Sequence, residues 1–420
     1  MVHHFRNIFI FVLVIVSMKF FEARFFPGDL TTYIQFFGIL GSIAISIPYV
    51  FAKRAGFVFP VQLLFFSILL SGLMAKIFWD QGITDTIKAT LPYLLWIFFF
   101  YLLSAKIPTT TIEKIVIIYG VIFILVYFFQ LANSDSVMFG GKEVFRKERG
   151  ITRVMIPGSG IFLLASFISL NKFSNETKGR WKWIPLMLLG LIFPFLIATR
   201  QLIATILFIY ILHFTKKIDL VKRAVILGSF VAVFLILSAV EHPVFDGLKS
   251  VQKQTLEEGS ENIRILAGTY FMTKFSPNTI NRIFGNGVPY GHKSDYGKFV
   301  TNLNETKYFY LSDVGLIALY AMFGILPIIA YIIIWTKSLT IKVPKEFYYL
   351  KYYLWYLLFT CLASATVYDV NQIMTTIFVL YIYQTISTKE KNKHQLLKVL
   401  RRYAENDLST NDNNISKPIT

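Results

Sequence analysis

The stretch "FLIATRQLIATILF" (residues 195–208) places one arginine, Arg200, inside an otherwise lipid-like run extending from Trp183 to Thr215. As one straight helix that run would measure about 50 Å, against a hydrocarbon core of about 30 Å. It must bend back or break. A break at Thr199-Arg200 divides it into two arms and sets the permanent cation at the turn between them, where a guanidinium meets water or headgroups instead of acyl chains.

The rest of the chain carries the same signature. Of 420 residues, 55% are hydrophobic, 17% aromatic and only 16% charged, a balance that excludes an ordinary soluble globule and fits a protein whose solvent is lipid. A spanning helix needs roughly 20 mostly apolar residues. Segments near 7–23, 30–51, 56–78, 88–104, 115–132, 154–170, 183–199, 201–215, 224–240, 312–335, 350–368 and 371–387 come within a few residues of that length. The expected fold is an all-α polytopic integral membrane protein of about 12 transmembrane helices. Its transmembrane domain covers 1–387, followed by a basic, partly disordered tail over 388–420. The first segment follows "MVHHFR", as a signal peptide would, but "FFEARFFPGD" offers no small-residue cleavage site, so it reads as a retained helix. No internal repeat of the transporter kind is visible. The single cysteine, Cys361, excludes a disulfide framework and a cysteine-based zinc site, and reads as a core residue.

With the amino terminus inside, alternate loops collect the positive charge: "KR" at 53–54, "NKFSNETKGRWK" at 171–182, "KKIDLVKR" at 216–223 and "KSLTIKVPKEFYYLK" at 337–351. The positive-inside rule thereby accounts for a net charge of +18 without a nucleic-acid partner. Both termini are expected in the cytoplasm. The tail "KEKNKHQLLKVLRRY" (389–403) is either solvated or laid on anionic membrane lipids. Two segments on the opposite face break the pattern of short, charge-poor turns. Residues 133–153 form an outer basic loop holding Lys142, Arg146, Lys147, Arg149 and Arg153, and residues 241–311 form one long extracytoplasmic loop. Loops of such length carry function more often than turns do.

Arg149, Arg153, Arg200 and Arg264 all fall on that outer side. The planar guanidinium fork makes two parallel charge-assisted bonds to phosphate and stays charged at any relevant pH. The cluster reads as a site for a lipid-linked phosphate or diphosphate, with arginines snorkelling to ordinary headgroups as the bland alternative. Within the long loop, "SENIRILAGTYFMTKF" (260–275) starts at Ser260 as an N-cap and places Ile263, Leu266, Ala267, Tyr270 and Phe271 at helical spacing. Glu261 stands three residues from Arg264 and can pair with it. The turn around Gly285 and Gly287, followed by Tyr290, offers backbone N–H groups of the kind that cradle anions. His292 is of the residue type that can exchange a proton near neutrality, and Asp313 sits where the chain returns to lipid; each is a candidate base, or else an idle loop histidine and an interfacial cap. Tyr270, Tyr290, Tyr296, Tyr308 and Tyr310 can stack on sugars or form an interfacial belt. There is no Walker loop, GxSxG, HExxH or dinucleotide fingerprint, no metal-ligand cluster, and no cofactor is expected.

These features together resemble the O-antigen polymerase and ligase superfamily of bacterial surface-polysaccharide assembly. The resemblance lies in "ATRQLIATILFIYIL", "NIRILAGTYFM", "FGNGVPYG" and "YFYLSDVGLIALYAMFGI", and is specific from about Arg149 to Ile325. The family's Ser/Thr-Arg pair opening an apolar helix matches Thr199-Arg200. Its loop arginine before a glycine-rich turn matches Arg264, and its acidic-x-Gly return to lipid matches Asp313 and Gly315. An arginine followed after ten residues by glycine, a pattern of some polymerases, is met loosely by Arg149 and Gly160.

What the resemblance implies is a membrane glycosyltransferase of GT-C-like architecture in the bacterial inner (cytoplasmic) membrane. It would join repeat units carried on polyprenyl diphosphate at the extracytoplasmic face, without metal, alongside a flippase and a chain-length regulator of the same pathway. Arg200 and Arg264 would clamp the diphosphate, Arg149 and Arg153 would hold substrate phosphates, and Asp313 or His292 would take the hydroxyl proton. The ligases usually carry a histidine just before the returning helix, where this chain has "TKYFYLSD", which favours polymerase over ligase. A flippase or transporter of lipid-linked oligosaccharide, or a non-enzymatic scaffold, remains as the competing class.

Overall fold

The computed structural model describes residues 2–17, 19, 22–24, 26, 28–51, 56–140, 145–148, 151–197, 199–215, 262–291 and 294–415. In chain order its helices are α1 (Val2–Ser17), α2 (Gly28–Ser46), α3 (Val58–Trp79), α4 (Ile83–Thr90), α5 (Phe98–Ala105), α6 (Thr109–Ala132), α7 (Ser159–Asn175), α8 (Ile184–Leu196) and α9 (Arg200–Thr215). After them come α10 (Ile263–Thr273), α11 (Thr279–Phe284), α12 (Asp295–Lys307), α13 (Leu316–Phe323), α14 (Ile325–Thr340), α15 (Tyr349–Thr360) and α16 (Val370–Ile415). Helices α4 and α5 are joined without interruption by a 3-10 stretch, Leu91–Ile97. Pro92 near its start has no N–H to donate and so interrupts the α-helical hydrogen-bond ladder there. Four helical segments are long and apolar enough to cross a membrane: Leu30–Tyr49, Val58–Trp79, Ile83–Ala105 and Thr109–Ala132. The chain is thus a predominantly helical protein with membrane-length helices.

Several expected segments differ in detail. The span placed at 154–170 begins instead at Ser159, because residues before it form a two-stranded antiparallel ribbon, β1 (Phe145–Glu148) and β2 (Ile151–Val154), pairing Arg146 with Arg153. This ribbon is a local feature of an otherwise helical fold. The span placed at 312–335 is two helices, α13 and α14, separated at Gly324, and the one placed at 350–368 ends at Thr360, giving way to a turn and a 3-10 stretch, Ala365–Val367. The span placed at 224–240 lies outside the described residues. Helix α16 continues without interruption through most of the tail expected to be partly disordered.

Helix α7 is central. Every residue from Gly160 to Asn171 is buried, as expected of a helix apolar on all sides. Small residues let its neighbours approach closely, Gly120 of α6 lying against Ala165 and Gly190 of α8 against Ser166. Ser166 Oγ in turn lies 2.9 Å from the Tyr210 hydroxyl, which donates to the Met187 carbonyl at 2.7 Å.

Contacts among the connections fall into two sets, at opposite ends of the bundle. At the basic end, Lys172 pairs with Glu113 at 3.0 Å, and Glu113 accepts from the Tyr349 hydroxyl at 2.6 Å, tying α6, α7 and α15 together. His213 bridges Ser174 and Tyr352 at 2.7 and 2.8 Å, Lys337 donates to the Gly56 carbonyl, and Arg6 donates to the Ala105 carbonyl at 2.8 Å. At the ribbon end, Arg24 N donates to Met138 O at 2.9 Å, Leu316 N to Cys361 O at 2.7 Å, and the Tyr368 hydroxyl to Leu311 O at 2.7 Å. Among the described residues up to Thr215, the connections between the longer helices alternate between these ends.

Candidate functional site

The site is built where the long apolar run breaks. Helix α8 ends at Leu196 and α9 opens on Arg200, so the arginine is the first helical residue at the ribbon end and half-buried. Gln201 beside it donates to the Phe359 carbonyl at 2.6 Å, fixing the start of α9 to the end of α15. Arg153, buried near the end of β2, donates Nη2 to Thr199 Oγ1 at 3.2 Å. One strand and one helix start thereby bring Arg153 beside the Thr199-Arg200 pair.

Arg264 arrives from far along the chain. It lies in the first turn of α10, whose N-cap is Asn262, accepting the Arg264 N–H at 3.1 Å. Ser260 and Glu261, expected as cap and partner, lie outside the described residues. Ala267, Gly268 and Phe271 form the buried face of α10, and Gly268 approaches Ile317 of α13 closely. Arg264 projects one turn earlier along that same face, where it is exposed. Ile263 and Leu266, assigned to the same stripe from spacing, are exposed. Burial, and after it the charge of Arg264, hold the Arg200 guanidinium below its ordinary value. Two like charges held near each other repel, and an anion bound between them relieves that repulsion while accepting charge-assisted bonds from both.

The glycine turn has another task than the one its composition suggested. Gly285 N, Asn286 N and Gly287 N donate to the carbonyls of Asn281, Ala321 and Met322 at 2.8, 3.2 and 2.8 Å. N–H groups so engaged cannot cradle an anion, so Gly285 and Gly287 pack the turn against α13. Asn286 is fully buried, donating to Ser276 Oγ and Ala321 O and accepting from Trp79 Nε1 at 3.0 Å. Tyr290 is half-buried, its N–H bonded to Gln81 Oε1 at 3.0 Å. Tyr296, counted among the sugar-stacking candidates, is completely buried and stacked on Trp79 at 4.6 Å. Tyr308 and Tyr310 are exposed, and Tyr270 is half-buried with Lys307 over its ring. Cys361 is buried and unbridged.

Asp313 lies in the short turn before α13, partly accessible, with Ser312 Oγ 3.3 Å from Oδ1. Its charge reaches Tyr368, and so does that of a second acid, Asp369. Asp369 was not singled out from the sequence, although "YDVNQ" places an ionisable residue at the start of an apolar span just as "LSDVG" does. Arg149 and His292 lie outside the described residues. Among the described residues no group of three His, Cys, Asp or Glu side chains comes together.

No family model matches the chain, and the comparison with curated proteins gives no match.

Proposed function

We propose that this protein is a polymerase of lipid-linked surface-polysaccharide repeat units, with its ribbon end extracytoplasmic and its basic end in the cytoplasm of a bacterium. The single observation carrying this reading is that Arg153 donates to Thr199 beside the half-buried Arg200, at the end of the bundle to which α10 brings Arg264. The orientation is supported by Lys172, Arg180, Lys182, Lys337, Lys342 and Lys345, gathered at the other end.

In this reading the growing chain leaves its polyprenyl diphosphate as a hydroxyl of the incoming lipid-linked unit attacks the anomeric carbon. Negative charge accumulates on the departing diphosphate, and cations already held in place stabilise it without reorganisation. Arg200 and Arg264 form that clamp, with Arg153 beside it. A flippase would need such charges along a path through the membrane midplane, whereas these lie at one end. The acceptor is taken to be another lipid-linked unit, because the ligase histidine is missing from "TKYFYLSD".

Arg200→Ala and Arg264→Ala should each reduce elongation by about 100-fold or more with the protein still inserted and abundant. Lysine at either position should restore little, since a point charge lacks the fork. Polymer length is read on a gel from a strain carrying each variant; a normal length distribution in either alanine variant would remove the clamp from the mechanism.

A further inference from the structure

Asp369 stands between the 3-10 stretch Ala365–Val367 and the first residue of α16. Its Oδ1 accepts both the backbone N–H of Asn371 at 2.9 Å and the Asn371 side-chain Nδ2 at 3.0 Å. Four tyrosines, Tyr93, Tyr353, Tyr356 and Tyr368, lie within reach of its charge. Asp369 and Tyr93 each keep part of their surface accessible. The Tyr368 hydroxyl bonds to Leu311 O, and Asp313 acts on the same tyrosine, so Asp369 lies beside the turn that leads into α13.

The stretch of chain before Asp369 reaches the start of α9. Gln201 is bonded to Phe359 and Leu316 to Cys361, so one short stretch of chain, 359–369, has the start of α9 at one end and Asp369 at the other. Thr360 and Thr366 brace it across its turn, Oγ1 to Oγ1 at 2.9 Å. Burial raises the Asp369 carboxyl above its ordinary value, against the opposing pull of the Asn371 bonds, and a carboxylate so raised is a stronger base.

We propose that Asp369 accepts the proton of the attacking sugar hydroxyl in the transfer described above, an inference that rests on that reading of the site. As the hydroxyl oxygen bonds to the anomeric carbon, its proton passes to the carboxylate. The bond from that carbon to the diphosphate breaks with its electron pair leaving on the diphosphate, and Asp369 returns the proton to water before the next cycle.

Asp369 also caps α16, since its side chain accepts an N–H of the first turn. Asparagine and serine cap helices as well as aspartate does, so they separate the two roles. The test uses purified full-length protein and the lipid-linked single repeat unit extracted from a strain lacking it. Asp369→Asn and Asp369→Ser should elongate about 100-fold more slowly or worse, with KM for the unit within about threefold of wild type. Asp369→Glu should recover part of the rate. Elongation by Asp369→Asn within tenfold of wild type would overturn the proposal, as would arrest by Asp313→Asn in its place. Failure of both cap-competent variants to accumulate would overturn it too, since the side chain would then be needed for the fold. If Arg200→Ala stops elongation while Asp369→Asn does not, only this inference falls; if wild type adds no units, the transferase reading falls with it.

Discussion

Gln81 holds the segment after α11 in place through one amide. Its Nε2 donates to Val288 O at 3.0 Å, and its Oε1 accepts from Tyr290 N and from Ser294 Oγ, both at 3.0 Å, the Gln81 side chain itself being fully buried. Leucine fills a similar volume and answers none of these groups. Each buried polar group left without a partner costs about 1–3 kcal/mol, so Gln81→Leu should destabilise by about 3 kcal/mol, seen as a lower thermal midpoint in detergent and faster proteolysis around Val288–Ser294. Nothing in "WDQGI" announces this role, because the partners lie more than 200 residues away. Arg200 was legible for the opposite reason: the length of its own apolar run, with no partner invoked, puts a break at that residue. Asp369 had the same local signal as Asp313, but no glycine motif drew attention to it.

At the scale of elements, the crossing of the α10–α11 region with the α13–α14 break depends on two glycines. Gly285 has φ +86 and Gly324 φ +78, a region that favours glycine. A Cβ on Gly285 would run into the Met322–Phe323 backbone, and one on Gly324 into the Ile283 carbonyl. Gly324→Val should therefore combine backbone strain of about 1–3 kcal/mol with a collision. The expected result is an inserted but thermally weakened protein, measured as loss of its folded gel-filtration peak on mild heating. Sequence spacing read "DVGLIALYAMFGILPIIAYIIIW" as one span, since glycine is tolerated within membrane helices. Only the neighbouring turn shows why the helix stops there. The ribbon over 145–154 escaped for a similar reason, as two four-residue strands among charged residues carry no clear period. Helix existence followed from apolar length; helix ends followed from contacts with distant chain.

At the scale of the molecule, the alternation of connections can be tested chemically. Cys361 is the only cysteine and is buried, so the wild-type protein gives a low background with thiol reagents. Arg200→Cys should react with a membrane-impermeant maleimide added outside the cytoplasmic membrane, and Lys182→Cys only after that membrane is opened. The reverse pattern would place the arginines in the cytosol and end the proposed orientation. The charge asymmetry behind this expectation and the shared side of Arg200 and Arg264 were readable from the loops, whereas the seating of α10 on α13, which positions Arg264, was not.

Helix α16 leaves the packed bundle at Thr388 and carries on to Ile415, with neither glycine nor proline along its length. Continued along its axis, it lifts Arg401 and Arg402 about 20 Å beyond the point of exit at about 1.5 Å per residue. Salt at physiological strength extinguishes a surface potential over roughly 8 Å. With headgroups at the level of Thr388, such a potential would reach Lys389 and Lys391 and would have faded at the helical backbone of residues 401–402.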